Sequence, residues 1–349
     1  MTVSDVQAGR GPRYRQVVGK SDGCWWITFT SSKLPELPLT GPELGPVEGA
    51  DLSPPRGTTE GNRVWVGDVR GNEGHFGCAS HRGPPTVDKG NQDFAFALAR
   101  SDCAGASWVL AGVCDGVTQS PWSERGARHA AAAFIEIVTE ALGRSVEFAN
   151  EILEPEGKRD FAMRYQRRLL ERLNADGQRL QTRRVPDPEF GEPLYRKAFL
   201  DAPGAEKREA WFQTTILATA LGPRGGFALL MGDGCLRLER TQADGPVQRK
   251  EVPLQSDPSK PERFVGTQLS VVDVLSGIRG ILPEGASELR VVLSTDGVSK
   301  TPEHGLEAAN LEDTAACEAF LHGIATRGDV KRVESDNMSV AFASRRVSS

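Results

Sequence analysis

Four apolar runs in this chain each meet a single aspartate at one end, and that recurrence constrains the fold more than any other feature of the sequence. Val109-Leu110-Ala111-Gly112-Val113-Cys114 runs into Asp115-Gly116, and Phe227-Ala228-Leu229-Leu230-Met231 runs into Gly232-Asp233-Gly234. Leu289-Arg290-Val291-Val292-Leu293 reaches Asp296-Gly297 through Ser294-Thr295, and Asp336-Asn337 precedes Met338-Ser339-Val340-Ala341-Phe342. Short apolar runs bounded by turn residues read as buried strands. An acid at the exposed end of such a strand is a carboxylate held by a rigid element, which suits it to binding a cation. A fifth acid, Asp93 in Asn91-Gln92-Asp93, stands just before the strand-like Phe94-Ala95-Phe96-Ala97-Leu98.

The order of the elements indicates how those strands are assembled. Residues 1–62 are rich in Gly and Pro and read as an extension in which only Cys24-Trp25-Trp26-Ile27-Thr28-Phe29-Thr30 has strand character. From residue 63 onward the chain reads as one domain. Val64-Trp65-Val66, His75 to Ser80 and Phe94 to Leu98 are short strands separated by turn residues, including Gly83-Pro84-Pro85. Antiparallel pairing follows from that spacing. Ser123 caps an expected helix to about Leu142, and Arg159 to about Leu180 forms a second, with Phe161, Tyr165, Leu169 and Leu173 on one stripe. Arg164, Arg167, Arg168 and Arg172 of that helix suit either an acidic partner or a solvated face. Residues 182–210 and Asp257 to Gly266 read as polar loops.

Thr214 to Leu221 and Phe227 to Met231 form a hairpin across a five-residue turn, and Leu236-Arg237-Leu238 continues the meander. Leu269 to Leu275 reads as a strand, Leu311 to Ile324 as a helix and Ser339 to Ala343 as the last strand. Strands, two helices, more strands, a helix and a final strand exclude alternating βαβ units and give an α+β sandwich.

Charge and cysteine usage narrow the function classes. A net charge of -5 gives no electrostatic reason to expect nucleic acid or an anionic membrane as partner. No run approaches the roughly 18 apolar residues of a membrane-spanning helix, and Met1 to Arg15 lacks an apolar signal segment, so a cytoplasmic protein is expected. The six cysteines show no metal-ligand spacing, so neither a zinc site nor a disulfide framework is expected. Cys114 and Cys235 lie beside two of the acids, as redox sensors or as small buried residues.

Carboxylates gathered in one site repel one another unless positive charge compensates them. Oxygen donors without a His or Cys cluster favour Mg²⁺ or Mn²⁺ over zinc. Two ions about 3.5 to 4 Å apart, bridged by one carboxylate, can activate a water and clamp both ends of a displacement at phosphorus. Glycine after the acid leaves room for the ion and presents a carbonyl.

In their joint order these residues resemble the metal-dependent protein serine/threonine phosphatases of type 2C, the PPM family. The resemblance rests on Asn91-Gln92-Asp93, Asp115-Gly116, Thr214-Thr215, Gly232-Asp233-Gly234, Ser294-Thr295-Asp296-Gly297 and Asp336-Asn337. Ala79-Ser80-His81-Arg82 with Gly126-Ala127-Arg128 is similar to a bacterial sub-branch. It implies a four-layer αββα sandwich, two antiparallel sheets flanked by helices, with metals at one end. Asp115 would bridge two Mn²⁺ or Mg²⁺ ions beside the Gly116 carbonyl, and Asp296 and Asp336 would bind the first ion. Asp93 would hold a metal-bound water, and Asp233 a third, weaker ion. The implied substrate is a phosphorylated protein, product of a Ser/Thr kinase, hydrolysed at phosphoserine or phosphothreonine without a phosphoenzyme.

Three positions depart from the family pattern: Gln92 replaces a glutamate ligand, Val117 replaces a histidine, and Asp88 stands near the usual phosphate-binding arginine. Lys89 or Arg82 would then meet phosphate as the cation, and His81 is either a proton donor or a structural histidine. The alternatives to an active phosphoprotein phosphatase are a catalytically weak regulatory module that binds a phosphoprotein, and a hydrolase of small phosphate esters.

Overall fold

Alternating apolar residues give two sheets with distinct inner and outer faces. The computed structural model describes residues 2–6, 14–21, 24–31, 74–81, 92–117, 120, 122–145, 148–182, 211–243, 245, 247–254, 264–266, 268–299, 311, 314–326 and 337–347. The strands are β1 (Thr2–Val6), β2 (Tyr14–Ser21), β3 (Cys24–Ser31), β4 (Gly74–His81), β5 (Phe94–Ser101), β6 (Ser107–Cys114), β7 (Ile216–Gly222), β8 (Gly225–Met231), β9 (Gly234–Thr241), β10 (Gln248–Leu254), β11 (Ile278–Ile281), β12 (Glu288–Ser294) and β13 (Met338–Arg346). The helices are α1 (Ser123–Leu142), α2 (Phe148–Glu151), α3 (Pro155–Thr182), α4 (Val271–Gly277), α5 (Asp296–Ser299) and α6 (Thr314–Thr326).

One antiparallel sheet has the order β10-β9-β12-β13-β4 and the other β11-β8-β7-β6-β5. Their facing sides share one core, in which Val109, Ala111, Val113 and Leu217 of one sheet meet Leu236, Val291, Leu293 and Ala341 of the other. Helix α1 lies over β5, β6 and β7, α3 packs on α1, and α4 packs on α3 and β8. On the far side, α6 packs over β4 and β13, burying Cys317, Leu321 and Ile324 against Val292, Val340 and Phe342. This is the expected four-layer αββα arrangement.

The α1–α3 layer is joined by charge as well as by apolar contact. Arg168 bonds Glu136 and Glu140, each at 2.8 Å, and Arg172 bonds Glu136. Arg164 and Arg167 pair with Asp160 and Glu171 on their own helix. Arg168 and Arg172 are therefore used to join α3 to α1, whereas Arg167 lies on a solvated face, one of the two expectations.

Five local expectations are corrected. Ser123 does not cap α1: it is the first helical residue, the N-cap position falls on Trp122, and no side chain caps the helix. Residues 2–31 hold a three-stranded antiparallel sheet, β1-β2-β3, not one strand. The hairpin turn is two residues long, because Gly222 pairs with Gly225 across Pro223-Arg224 and Gly225 takes the positive φ of 112° needed there. Strand β9 does not continue the β7–β8 meander; the chain leaves one sheet at Met231 and enters the other at Gly234. Residues 271–277 are helix α4, not a strand, because Ser270 and Asp273 form a reciprocal capping box. Val64-Trp65-Val66, the Gly83-Pro84-Pro85 turn, the loop over 183–210 and most of the Asp257–Gly266 loop lie outside the described residues. No helix among the described residues is long and apolar enough to cross a membrane.

Candidate metal centre

Strand register brings Asp93, Asp115, Asp233 and Asp296 to one end of the sandwich. Phe94 pairs with Cys114, so Asp93 and Asp115 are the next residues beyond paired positions on neighbouring strands. Gly116 pairs with Thr214. The Asp115 backbone is fixed by that crossing: its N–H donates to Thr215 Oγ1 at 2.9 Å, and its carbonyl accepts from Thr214 Oγ1 and from the Thr215 N–H, both at 2.8 Å. The same neighbourhood receives the link between the sheets. Ile216 pairs with Met231, and the link Gly232-Asp233-Gly234 has positive φ at both glycines, 98° and 125°. Any side chain at 232 would collide with Thr215, and one at 234 with the Ser294 carbonyl. Asp233 thus sits at the corner where the chain changes sheets.

The other sheet supplies Asp296, first residue of α5 and two residues beyond the end of β12. A Cβ on Gly297 would lie 2.1 Å from the Asn337 carbonyl, so Asn337 is held against the start of α5. The two sheets are tied directly at this end, since Thr295 Oγ1 donates to Asp93 Oδ2 at 3.1 Å. Asp93 is fully buried and Asp296 nearly so. Burial first, and then Asp93 and Asp115, push the Cys114 thiol well above its ordinary value. Cys114 is itself fully buried, as a small core residue of β6 would be. Cys235 is buried too.

Gln92 explains one departure from the family pattern. Its Nε2 donates to Ser123 Oγ at 2.7 Å, tying the segment before β5 to the first residue of α1. Val117 is half-buried, and its N–H donates to the Gln213 carbonyl. Asp336, Lys89, Arg82 and Asp88, and the side chain of His81, lie outside the described residues. Among the described residues no three of His, Cys, Asp and Glu already stand close enough to hold an ion. The donor set of carboxylates and a glycine carbonyl fits a hard divalent cation. Sequence reading missed Thr295 and Ser123 as partners of site residues; the only available signal was a hydroxyl directly before the Asp-Gly pair at 296–297.

The family profile described as Protein phosphatase 2C matches residues 86–338, spanning β5 to the start of β13 and every acid above. The chain belongs to the protein phosphatase 2C family. Solved structures of similar fold include serine-threonine phosphatase 2C from Toxoplasma gondii, at 11% identity and a TM-score of 0.49, covering 83% of this chain and 98% of that one. Another is the serine/threonine phosphatase PstP/Ppp of Mycobacterium tuberculosis, at 16% identity and a TM-score of 0.42, covering 79% and 100%. PppA, described as a regulatory component of a type VI secretion system (T6SS) in Pseudomonas aeruginosa, has 15% identity and a TM-score of 0.45, covering 78% and 97%. Comparison with curated proteins finds no match.

Proposed function

We propose that this 2C-family chain hydrolyses phosphoserine and phosphothreonine in proteins at a centre of two Mn²⁺ or Mg²⁺ ions. Asp115, the Gly116 carbonyl, Asp296 and Asp336 are the groups that would hold them, and Asp233 would hold a third, weaker ion. The observation that carries this reading is the meeting of Asp93 and Asp115 on neighbouring strand ends, with Asp93 bonded across the sandwich to Thr295.

Bound there, a divalent cation supplies a water of lowered pKa and charge to offset the phosphoryl oxygens. The protein's own share is positioning. Thr214 and Thr215 fix the backbone on which the Asp115 carboxylate is mounted. Asp93 would hold the attacking water, and Lys89 or Arg82 would meet the substrate phosphate as the cation. The substrate class is a phosphoprotein, the product of a Ser/Thr kinase.

The deciding experiment is phosphate release from a phosphothreonine peptide and from a small aryl phosphate, each with Mn²⁺ and with a chelator in excess. Chelator-sensitive turnover with higher kcat/KM for the peptide supports the proposal. Higher kcat/KM for the small ester makes the chain a small-ester hydrolase instead. A second reading, a weakly active module that binds phosphoproteins, is favoured by Gln92, whose carboxamide is engaged by Ser123 and carries no charge for a second ion. Peptide binding without turnover would select it.

A further inference from the structure

We infer that Thr295 is a positioning residue for the candidate metal centre, acting through Asp93. This rests on the reading of the acid cluster as a metal site. Thr295 lies between the end of β12 and the start of α5, and it is fully buried. Its hydroxyl makes two bonds whose directions are fixed by chemistry. The backbone N–H of Ser339 can only donate, so at 2.9 Å the Thr295 Oγ1 accepts from it. The hydroxyl proton is thereby left to point at Asp93 Oδ2, 3.1 Å away, which as a carboxylate can only accept.

Three separate segments meet in this one hydroxyl: the residue before β5 in one sheet, the residue after β12 in the other, and the start of β13 two residues past Asn337. Ser339 is further held by its own hydroxyl, which donates to Ser80 Oγ on β4 at 2.8 Å. A branched Cβ restricts the rotamer of Thr295, so the proton is presented in one direction. A donor to one carboxylate oxygen fixes which way the carboxylate faces, leaving the opposite oxygen to be directed at an ion or its water. The Asp93 carboxyl is buried deeply enough that bulk water cannot take over this task.

The test uses the full chain and Mn²⁺ alone, with bound ion read from the loss of the free-ion paramagnetic resonance signal, so that turnover is not needed. Thr295→Val keeps the shape and removes both hydrogen bonds; Thr295→Ala does the same with less bulk if the valine variant fails to fold. Either is expected to weaken Mn²⁺ binding about 10- to 100-fold, the usual consequence of losing a partner of a metal-binding group. Thr295→Ser, whose hydroxyl still donates, is expected to stay within about threefold of the wild type.

Asp93→Ala separates positioning from a general structural role, since an amide at 93 would keep an oxygen able to accept from Thr295. If Thr295 acts through Asp93, adding Thr295→Val to Asp93→Ala weakens binding no further than about twofold. Losses that multiply in the double variant, or wild-type affinity in Thr295→Val or Thr295→Ala, overturn the inference alone. A wild-type chain that takes up no Mn²⁺ overturns it together with the metal reading.

Discussion

Replacing Gly116 with alanine probes whether the acid end is as closely built as the backbone indicates. A Cβ there would lie 2.7 Å from the Gln92 carbonyl oxygen, 2.9 Å from Gln92 Cβ and 2.9 Å from Ser123 Cβ. Ordinary contacts begin at 3.4 Å, so the neighbours must retreat by about 0.5 to 0.7 Å in a region packed at crystal density. The nearest atom is backbone, and it belongs to the residue before Asp93, so relief moves the strand end that carries that carboxylate. Overpacking of this kind costs about 1–3 kcal/mol. A displacement approaching 1 Å at reacting groups costs on the order of 100-fold in rate. Gly116→Ala should therefore lose about 1–3 kcal/mol in urea unfolding and about 10- to 100-fold in Mn²⁺-dependent turnover of a phosphopeptide.

Gly112→Ala is the control. Its Cβ would collide with the Phe96 ring at 2.4 Å, within the sheet and away from the acids, so it should lose comparable stability yet retain turnover per folded molecule within a few-fold. Wild-type stability and turnover in Gly116→Ala, or equal loss of turnover in both variants, would refute the reasoning.

Two further outcomes follow from packing and charge. Phe227 meets Phe134, Phe148 and Phe161 at ring-centroid separations of 5.9, 5.7 and 5.2 Å, so Phe227→Ala should cost about 3–5 kcal/mol in urea unfolding; a loss below about 1 kcal/mol would contradict that packing. Asp176 on α3 bonds Arg125, at 2.6 Å, and His129, at 2.9 Å, both on α1. Burial pushes its carboxyl up, but the hydrogen bonds from His129 and Arg125 outweigh it and hold the group well below the usual carboxylate range. A depressed acid stabilises the fold above its unfolded value of 3.8, and that contribution is lost as pH falls through the folded one. Burial also lowers His129 below 6.5, so the unfolded chain takes up its proton first and stability begins to fall as pH drops through 6.5. Thermal unfolding of the wild type should show both declines. Asp176→Asn should lose about 3 kcal/mol near neutral pH, since it strands the partly buried Arg125, and should be less sensitive below pH 4 than the wild type; an unchanged acid limb would count against the pair.

The sandwich was legible where one physical signal dominated. The runs leading to Asp115, Asp233 and Asp296 form strands β6, β8 and β12, which end one or two residues before the acid, because a short apolar run bounded by turn residues favours a buried strand. Helix α1 was legible from its apolar spacing. Val271-Val272-Asp273-Val274 misled because β-branched residues favour strands, whereas the capping pair Ser270 and Asp273 decided the local structure. The change of sheet between Met231 and Gly234 had no signal beyond two glycines, since sheet membership is fixed by partners far away in sequence. The hydroxyl contacts of Thr295 and Ser123 were illegible for the same reason: Thr295 and Asp93 are 202 residues apart.

The proposed role of Asp115 is to hold the metal ions needed for phosphoester hydrolysis. It is tested most directly by titrating Mn²⁺ into wild type and Asp115→Asn while following phosphate release from a phosphothreonine peptide. Loss of the carboxylate charge that would hold the ions predicts turnover at least about 100-fold lower in the variant at matched Mn²⁺, with the wild-type activity abolished by chelator and restored by added ion. Equal turnover in the two proteins, or wild-type turnover indifferent to chelator, would contradict the account.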